Sequence, residues 1–130
     1  MLKKIFKKGI NEIHEKYRDE EILIFDDMAN FFGQESLGAL KVRGNGVLLL
    51  TKAILFFGMW KPKKEILIPV SSMVKIQNPK SYLHKSVFRP LLKVVFKNQQ
   101  GEIDSAAWYV AYLDEWNNNL NKLISKNKLP

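Results

Sequence analysis

Residues 37–57 read Leu-Gly-Ala-Leu-Lys-Val-Arg-Gly-Asn-Gly-Val-Leu-Leu-Leu-Thr-Lys-Ala-Ile-Leu-Phe-Phe, a series of short apolar blocks separated by turn residues. Asn45-Gly46 lies between two of these blocks. Asn-Gly in this position predicts a two-residue hairpin turn, because the turn needs positive φ at both residues. The blocks at 47–51 and 53–57 are apolar at successive positions, which is typical of central strands covered on both faces. The stretch therefore predicts antiparallel strands.

Further strands and turns follow at short intervals, as in an all-β domain. Pro62 and the lysines around it predict a turn over residues 60–64, because proline has no N–H for a ladder hydrogen bond. Strands are also predicted over residues 37–43, 65–69, 73–76, 91–97 and 102–109, with a turn at 98–101. Residues 22–32 are predicted as either a strand or a helix, because so short an apolar run does not distinguish the two-residue repeat of a strand from the 3.6-residue repeat of a helix. Gly33 is expected to end either element.

Two segments place apolar residues three and four positions apart, as amphipathic helices do. The first, within residues 1–17, has lysines beside a stripe of Leu2, Ile5, Phe6, Ile10, Ile13 and Tyr17. It either packs on the domain or on a second copy, or lies in a membrane interface. The second has a stripe of Leu113, Trp116, Leu120, Leu123 and Ile124. We expect this C-terminal helix to cover the open mouth of a small barrel.

The formal net charge of +8 is concentrated in the middle of the chain. Residues 41–98 contain twelve Lys or Arg side chains and a single acid, Glu65, whereas residues 19–40 contain acids and no Lys or Arg. A region this basic favours contact with phospholipid head groups, nucleic acid or acidic proteins. The alternative is a solvated lysine-rich surface that keeps strand edges soluble.

Side chains suited to enzyme chemistry are few. The chain has no cysteine, which excludes thiolate nucleophiles and Cys-based metal sites and fits a reducing cytoplasm. His14 and His84 have no evident carboxylate or hydroxyl partner, and Asp104-Ser105 lies in a predicted strand without a base. No P-loop, dinucleotide fingerprint or calcium loop occurs. We therefore expect a protein that is not an enzyme and has no cofactor or metal.

A strand series ends in a Trp-bearing helix: the strands are at residues 46–51, 55–57, 65–70 and 92–96, followed by Gly101 and by Asp114-Glu115-Trp116 with Leu120. This series resembles the pleckstrin-homology (PH) superfold, and in particular bacterial proteins of its GRAM-like branch. The resemblance implies a mainly β fold, a small split barrel of about seven antiparallel strands with a C-terminal capping helix. Residues 21–130 would form this single domain, preceded by an added basic amphipathic helix over residues 1–20.

Members of this superfold are mostly binding modules for acidic lipids, peptides or partner domains, so the resemblance implies a non-enzymatic binding module. The basic residues expected to bind anions are Lys41, Arg43, Lys61, Lys63, Lys64, Lys80, Lys85 and Arg89. Lys41-x-Arg43 matches the second half of the family's basic phosphoinositide motif. The first half has no counterpart, because no Lys or Arg lies between Asp19 and Leu40.

Peripheral association with acidic membrane lipids is the first functional expectation. The alternative is protein binding or self-assembly through the N-terminal stripe, an exposed strand edge or Phe31-Phe32. Non-specific nucleic-acid binding comes third, because no recognition motif appears and aromatic residues such as Phe56 and Trp116 are expected in the core. The N-terminal lysines are not followed by the apolar core of a signal peptide, and no run of about eighteen apolar residues occurs. We therefore expect a cytoplasmic protein, peripheral at the membrane where it binds lipid.

Overall fold

The computed structural model of the chain describes Glu15 and residues 21–37, 44–60, 63–83, 85, 86 and 88–128. Apart from Glu15, the predicted helix over residues 1–20 lies outside the described residues. So does most of the predicted strand at 37–43. The domain predicted over residues 21–130 is described for most of its length.

Nine strands precede one helix in the described chain. The strands are β1 (Ile24–Gln34), β2 (Gly44–Leu50), β3 (Ile54–Trp60), β4 (Lys63–Pro69), β5 (Met73–Gln77), β6 (Ser81–Tyr82), β7 (Lys85–Ser86), β8 (Leu92–Lys97) and β9 (Ile103–Tyr109). The C-terminal helix spans Leu113–Asn127, and two short 3-10 turns span Glu35–Leu37 and Val70–Ser72. The predicted strands at 65–69, 73–76, 91–97 and 102–109 are confirmed to within two residues.

Seven of the strands form one antiparallel sheet in the order β4-β3-β2-β1-β9-β8-β5, and β6 pairs only with β7. β4 and β5 are consecutive in the chain, joined by the 3-10 turn Val70–Ser72, yet they are the two outermost strands. The sheet is therefore not closed into a barrel between them. The mainly β fold with a flanking C-terminal helix is confirmed, with an open seam between β4 and β5.

Aromatic side chains fill the centre of the inner face. Phe31 of β1, Phe57 of β3 and Trp108 of β9 are fully buried, and their ring centroids lie 5.3 to 5.7 Å apart. The C-terminal helix buries Trp116, Leu120 and Ile124 in the same cluster, with Leu113 and Leu123 partly buried. The predicted helical stripe is thus confirmed, and the helix covers one side of the core.

The Asn45-Gly46 hairpin prediction is wrong, because both residues lie inside β2. Asn45 is opposite Asn30 of β1, and the Asn30 side-chain amide donates to Asn45 Oδ1 at 2.6 Å. Gly46 is required for space: a Cβ there would meet the backbone carbonyl of Gly58 on β3. The Asn-Gly signal reports only local turn preference. Here glycine occurs at position 46 because β2 and β3 approach each other closely.

For residues 22–32 the sequence left strand and helix open. The structure has a strand there, because β1 spans Ile24–Gln34. Gly33 does not end it; with φ of 125° it lies at a register shift between β1 and β9. Asp26 lies at a second irregularity, where β1 shifts its register on β2. Its carboxylate accepts hydrogen bonds from the N–H groups of Met28 and Ala111, both at 2.8 Å. The two irregularities let β1 bend and pair with both β2 and β9.

Gly46→Ala tests the close approach of β2 and β3. In the absence of a clash, alanine stabilises a strand interior relative to glycine by roughly 0.5–1 kcal/mol. Here the Cβ would overlap Gly58, so we expect the free energy of unfolding to fall by about 1–3 kcal/mol or more. The measurement is urea denaturation.

Gly101→Ala is the matched control, since its Cβ would meet nothing within 4 Å and only its φ of 78° opposes it. We expect Gly101→Ala to cost about 1 kcal/mol. A Gly46→Ala protein as stable as the wild type would contradict the close approach.

Candidate functional site

The basic residues singled out in the sequence fall into three groups. Lys41, Arg43 and Lys61 lie outside the described residues. Lys63 and Lys64 lie in β4 rather than at the tip of a turn, so the predicted turn over 60–64 is wrong for residues 60, 63 and 64, which belong to β3 and β4. Lys80, Lys85 and Arg89 all lie in the connection between β5 and β8. This connection therefore contains three of the five predicted basic residues that the structure describes.

The connection over residues 78–91 folds against the outer face of the sheet. Its ends are held together, because the N–H of Leu91 donates to Pro79 O at 2.8 Å and the Asn78 amide donates to Leu91 O at 3.0 Å. Between these ends, the short strands β6 and β7 pair with each other, Ser81 opposite Ser86 and Tyr82 opposite Lys85. We call residues 78–91 the hairpin segment.

Tyr82 anchors the hairpin segment to the sheet. Its ring is buried with Phe32, Leu91 and Ala107 in a small cluster on the outer face. Its hydroxyl donates to Ser105 O at 2.8 Å and lies 2.7 Å from Ser105 Oγ. Burial raises the pKa of Tyr82 to about 12, so the phenol stays protonated and keeps donating at physiological pH.

Three cations surround this outer cluster. Lys85 Nζ donates to Phe32 O at 3.0 Å, and the Arg89 guanidinium donates to the Tyr109 hydroxyl at 2.8 Å. Lys93 of β8 lies over the Tyr82 ring, with Nζ 5.7 Å from the ring centroid. None of the three has a carboxylate within salt-bridge distance among the described residues. The sequence reasoning missed Lys93, although alternation along β8 places it opposite the buried Leu92 and Val94.

Phe88 is the most exposed large apolar side chain of the described chain. It is 90% exposed and has a positive φ of 61°. Non-glycine residues rarely adopt this conformation, which costs about 1 kcal/mol or more and is held in place by the surrounding structure. Here the neighbouring Arg89 is fixed to Tyr109. The structure thus presents an exposed phenylalanine beside Arg89. The sequence shows Phe88 among basic residues but does not show its exposure.

A buried carboxylate fixes the end of β1 beside the hairpin segment. Asp104 accepts hydrogen bonds from the Gln34 amide (2.7 Å), the Ser36 N–H (3.0 Å) and hydroxyl (2.7 Å), and the Ser105 N–H (2.8 Å). Ser105 Oγ in turn donates to Glu35 at 2.9 Å. Burial alone would raise the pKa of Asp104, but these hydrogen bonds outweigh it and hold the pKa below the usual 3.8. Asp104-Ser105 therefore links β9, the first 3-10 turn and Tyr82.

Phe31-Phe32, considered in the sequence as an adhesive surface, is not exposed. Both side chains are fully buried, Phe31 in the core and Phe32 beneath the hairpin segment. The prediction is wrong because successive residues of a strand point to opposite faces, and here both faces are covered.

Within the described residues, no group of three or more His, Asp or Glu side chains is arranged to hold a metal ion. No described helix has the length and apolar character needed to cross a membrane.

Comparison with known proteins identifies the fold without a family. No family model and no curated protein matches the chain. Among solved structures, a chain of the 8S snRNP assembly intermediate is similar with a TM-score of 0.62 and 11% identity, over 80% of this chain and 82% of that one. The C-terminal domain of an unknown protein from Leishmania infantum is similar with a TM-score of 0.61 and 14% identity, over 95% and 98%. At these identities the likeness shows the fold alone.

Asp104→Asn tests the buried carboxylate. Because the folded-state pKa is depressed, the charged form stabilises the fold above the unfolded pKa, and this stabilisation is lost as the pH falls through the folded-state pKa. We expect the variant to lose about 1–3 kcal/mol of unfolding free energy at neutral pH. Its difference from the wild type should shrink below pH 3.8.

Chemical denaturation at neutral and acidic pH measures both effects. The exposed Asp27→Asn serves as the control and should change stability little at either pH. A difference between Asp104→Asn and wild type that is the same at both pH values would contradict the assigned role.

Proposed function

We propose that this chain is a non-enzymatic, PH-like binding module that associates peripherally with anionic lipid surfaces through the hairpin segment. The observation that carries this proposal is Phe88, whose side chain is 90% exposed beside Arg89. An apolar side chain that enters the acyl boundary, flanked by cations that meet the head groups, is the usual arrangement of a peripheral membrane contact.

The PH-like assignment is supported by topology. Seven antiparallel strands in the order β4-β3-β2-β1-β9-β8-β5, followed by one C-terminal helix, match what the sequence resemblance leads us to expect. The finer GRAM-like assignment rests on the sequence resemblance alone. A binding role follows from the PH-like assignment by analogy only, so the surface itself has to support it.

The charge of the hairpin segment supports an anionic ligand. Lys80, Lys85 and Arg89 lie within it, and Lys93 lies beside it on β8. Each cation near an anionic membrane contributes on the order of 1 kcal/mol. Lys85 and Arg89 are held by hydrogen bonds to Phe32 O and the Tyr109 hydroxyl, so their positions are fixed before a ligand arrives. Neither acceptor carries a formal charge, so the positive charge of both side chains stays available.

A distributed surface, rather than a stereospecific head-group pocket, fits these contacts best. The cations lie around an aromatic cluster, and the exposed Phe88 lies beside one of them, Arg89. The family's phosphoinositide motif is also only half present in the sequence, at Lys41 and Arg43. We therefore expect the protein to respond to the surface charge of a membrane more than to the identity of one head group.

Phe88→Ala is the sharpest test of this proposal. The full-length chain is co-sedimented with phosphatidylcholine vesicles that contain or lack phosphatidylserine, at low and physiological salt. Burying a phenylalanine contributes about 1.5–3 kcal/mol, so we expect roughly tenfold weaker binding to the anionic vesicles. Lys80→Ala should weaken binding about fivefold, and this effect should fade with added salt.

Two variants elsewhere in the chain serve as controls. Leu67→Ala removes an exposed apolar side chain from β4, and Lys126→Ala removes an exposed cation from the C-terminal helix. Both should bind vesicles like the wild type. Equal binding to neutral and anionic vesicles, or no effect of Phe88→Ala, would overturn the lipid proposal.

A further inference from the structure

The open seam of the sheet contains a cleft of about 530 Å³ that runs along β4. One wall is the outer edge of β4, and the other is the end of β8 with its turn into β9. The lining is formed by residues 64–69 of β4 and by residues 96–100 at the end of β8, with Gln34 and Ser72. Six consecutive residues of one edge strand thus border the cleft, so the cleft runs alongside an extended backbone.

The backbone of β4 is oriented for a further strand. Val70 N–H donates to Ala53 O at 2.8 Å, in the same register that pairs Leu67 with Phe56. Hydrogen-bonded pairs alternate in an antiparallel ladder, so the N–H and C=O of Leu67 point away from β3. No strand of the described chain pairs with this side of β4. Pro69, the next residue that faces outward, has no N–H, so Leu67 is the last outward donor of β4.

The side chains of the cleft suit an amphipathic segment. Ile66, Ile68 and Phe96 give it an apolar floor, and Leu67 is 54% exposed at its rim. Opposite β4, the exposed Gln99 and Gln100 offer side-chain amides. An extended segment presents backbone polar groups on both sides, so it could pair with Leu67 on one side and with these amides on the other.

The charge of the cleft favours an acidic occupant. Lys64 and Lys97 line it, against Glu65 as its one acidic lining residue. Lys64 Nζ also lies 5.6 Å from the centroid of the Phe31 ring. A second copy of this chain fits less well, since each copy carries a formal charge of +8 and β4 contains Lys63, Lys64 and Pro69. Lysines and proline on an edge strand oppose pairing between identical edges.

We infer that the edge of β4 binds an extended, acidic segment of a different protein, which adds to the sheet as a strand and lies in the cleft between β4 and the β8–β9 turn. Backbone pairing with Leu67 supplies the affinity, and Lys64 and Lys97 select acidic over basic sequences. The surface is formed by other residues than the hairpin segment, so this inference stands independently of lipid binding.

Leu67→Pro removes the outward N–H without removing a bond to β3, because proline is tolerated on the free side of an edge strand. Leu67→Thr is the matched control that changes the side chain and keeps the N–H. The probe is a capped, fluorescein-labelled peptide of about eight residues in which threonine and glutamate alternate, long enough to span the cleft. Binding to the full chain is followed by fluorescence anisotropy at low salt.

We expect Leu67→Pro to bind the acidic peptide about three- to tenfold more weakly than the wild type, and Leu67→Thr to bind within about twofold of it. The same peptide with lysine in place of glutamate should bind at least about tenfold more weakly. Vesicle binding should be unchanged by Leu67→Pro, whereas Phe88→Ala should leave peptide binding unchanged.

A second measurement covers the case in which Leu67→Pro is poorly folded. The acidic peptide, N-methylated at alternate backbone positions, is titrated into the wild-type chain. It should bind at least about fivefold more weakly in one of the two alternations, because only one of them removes the N–H groups that face β4. Equal binding of both methylated peptides and the parent peptide, or no binding of the parent peptide, would overturn the inference.

Discussion

Phe31 and Phe32 of β1 join the two halves of this structure. Successive side chains of a strand point to opposite faces, so Phe31 enters the core against Phe57 and Trp108 while Phe32 lies beneath the hairpin segment. β1 is also the strand that pairs with both β2 and β9. The position of the basic outer surface is therefore set by the same backbone that sets the core, and neither can shift without the other.

The end of β1 shows how this backbone is held. After the register shift at Gly33, the chain turns into Glu35–Leu37. Asp104 of β9 accepts four hydrogen bonds, of which two come from Ser36 in this turn and one from Gln34 at the end of β1. A buried carboxylate with this many donors is stable without a cation. Ser105 continues the network to Tyr82. The rigid sheet thus supports the hairpin segment through directional contacts as well as through apolar packing.

The sequence predicted the elements that depend on local pattern. Alternation along residues 92–96 and the helical stripe through Trp116, Leu120 and Ile124 report burial directly, and both are confirmed. The sequence did not predict the features that depend on contacts between residues distant in the chain. Asn45-Gly46 has the signature of a turn, but Gly58 on the adjacent strand requires the glycine within β2. Phe88 is exposed at a positive φ beside the Arg89–Tyr109 contact, and neither feature leaves a periodic signal in the sequence.

Lys64 explains why the seam can remain open without exposing the core. Lys64 lies on the same face of β4 as the buried Ile66 and Ile68, and its ammonium group lies 5.6 Å from the centroid of the Phe31 ring. A cation over an aromatic ring is favourable, and a lysine stem covers apolar surface beside its charge. An inward-pointing lysine also makes the edge unsuited to an apolar neighbour strand. One side chain therefore covers the core at the seam and discourages non-selective strand pairing there. An acidic segment is the neighbour for which the same lysine is an attraction instead of a barrier, so the feature that protects this edge from aggregation also gives it selectivity.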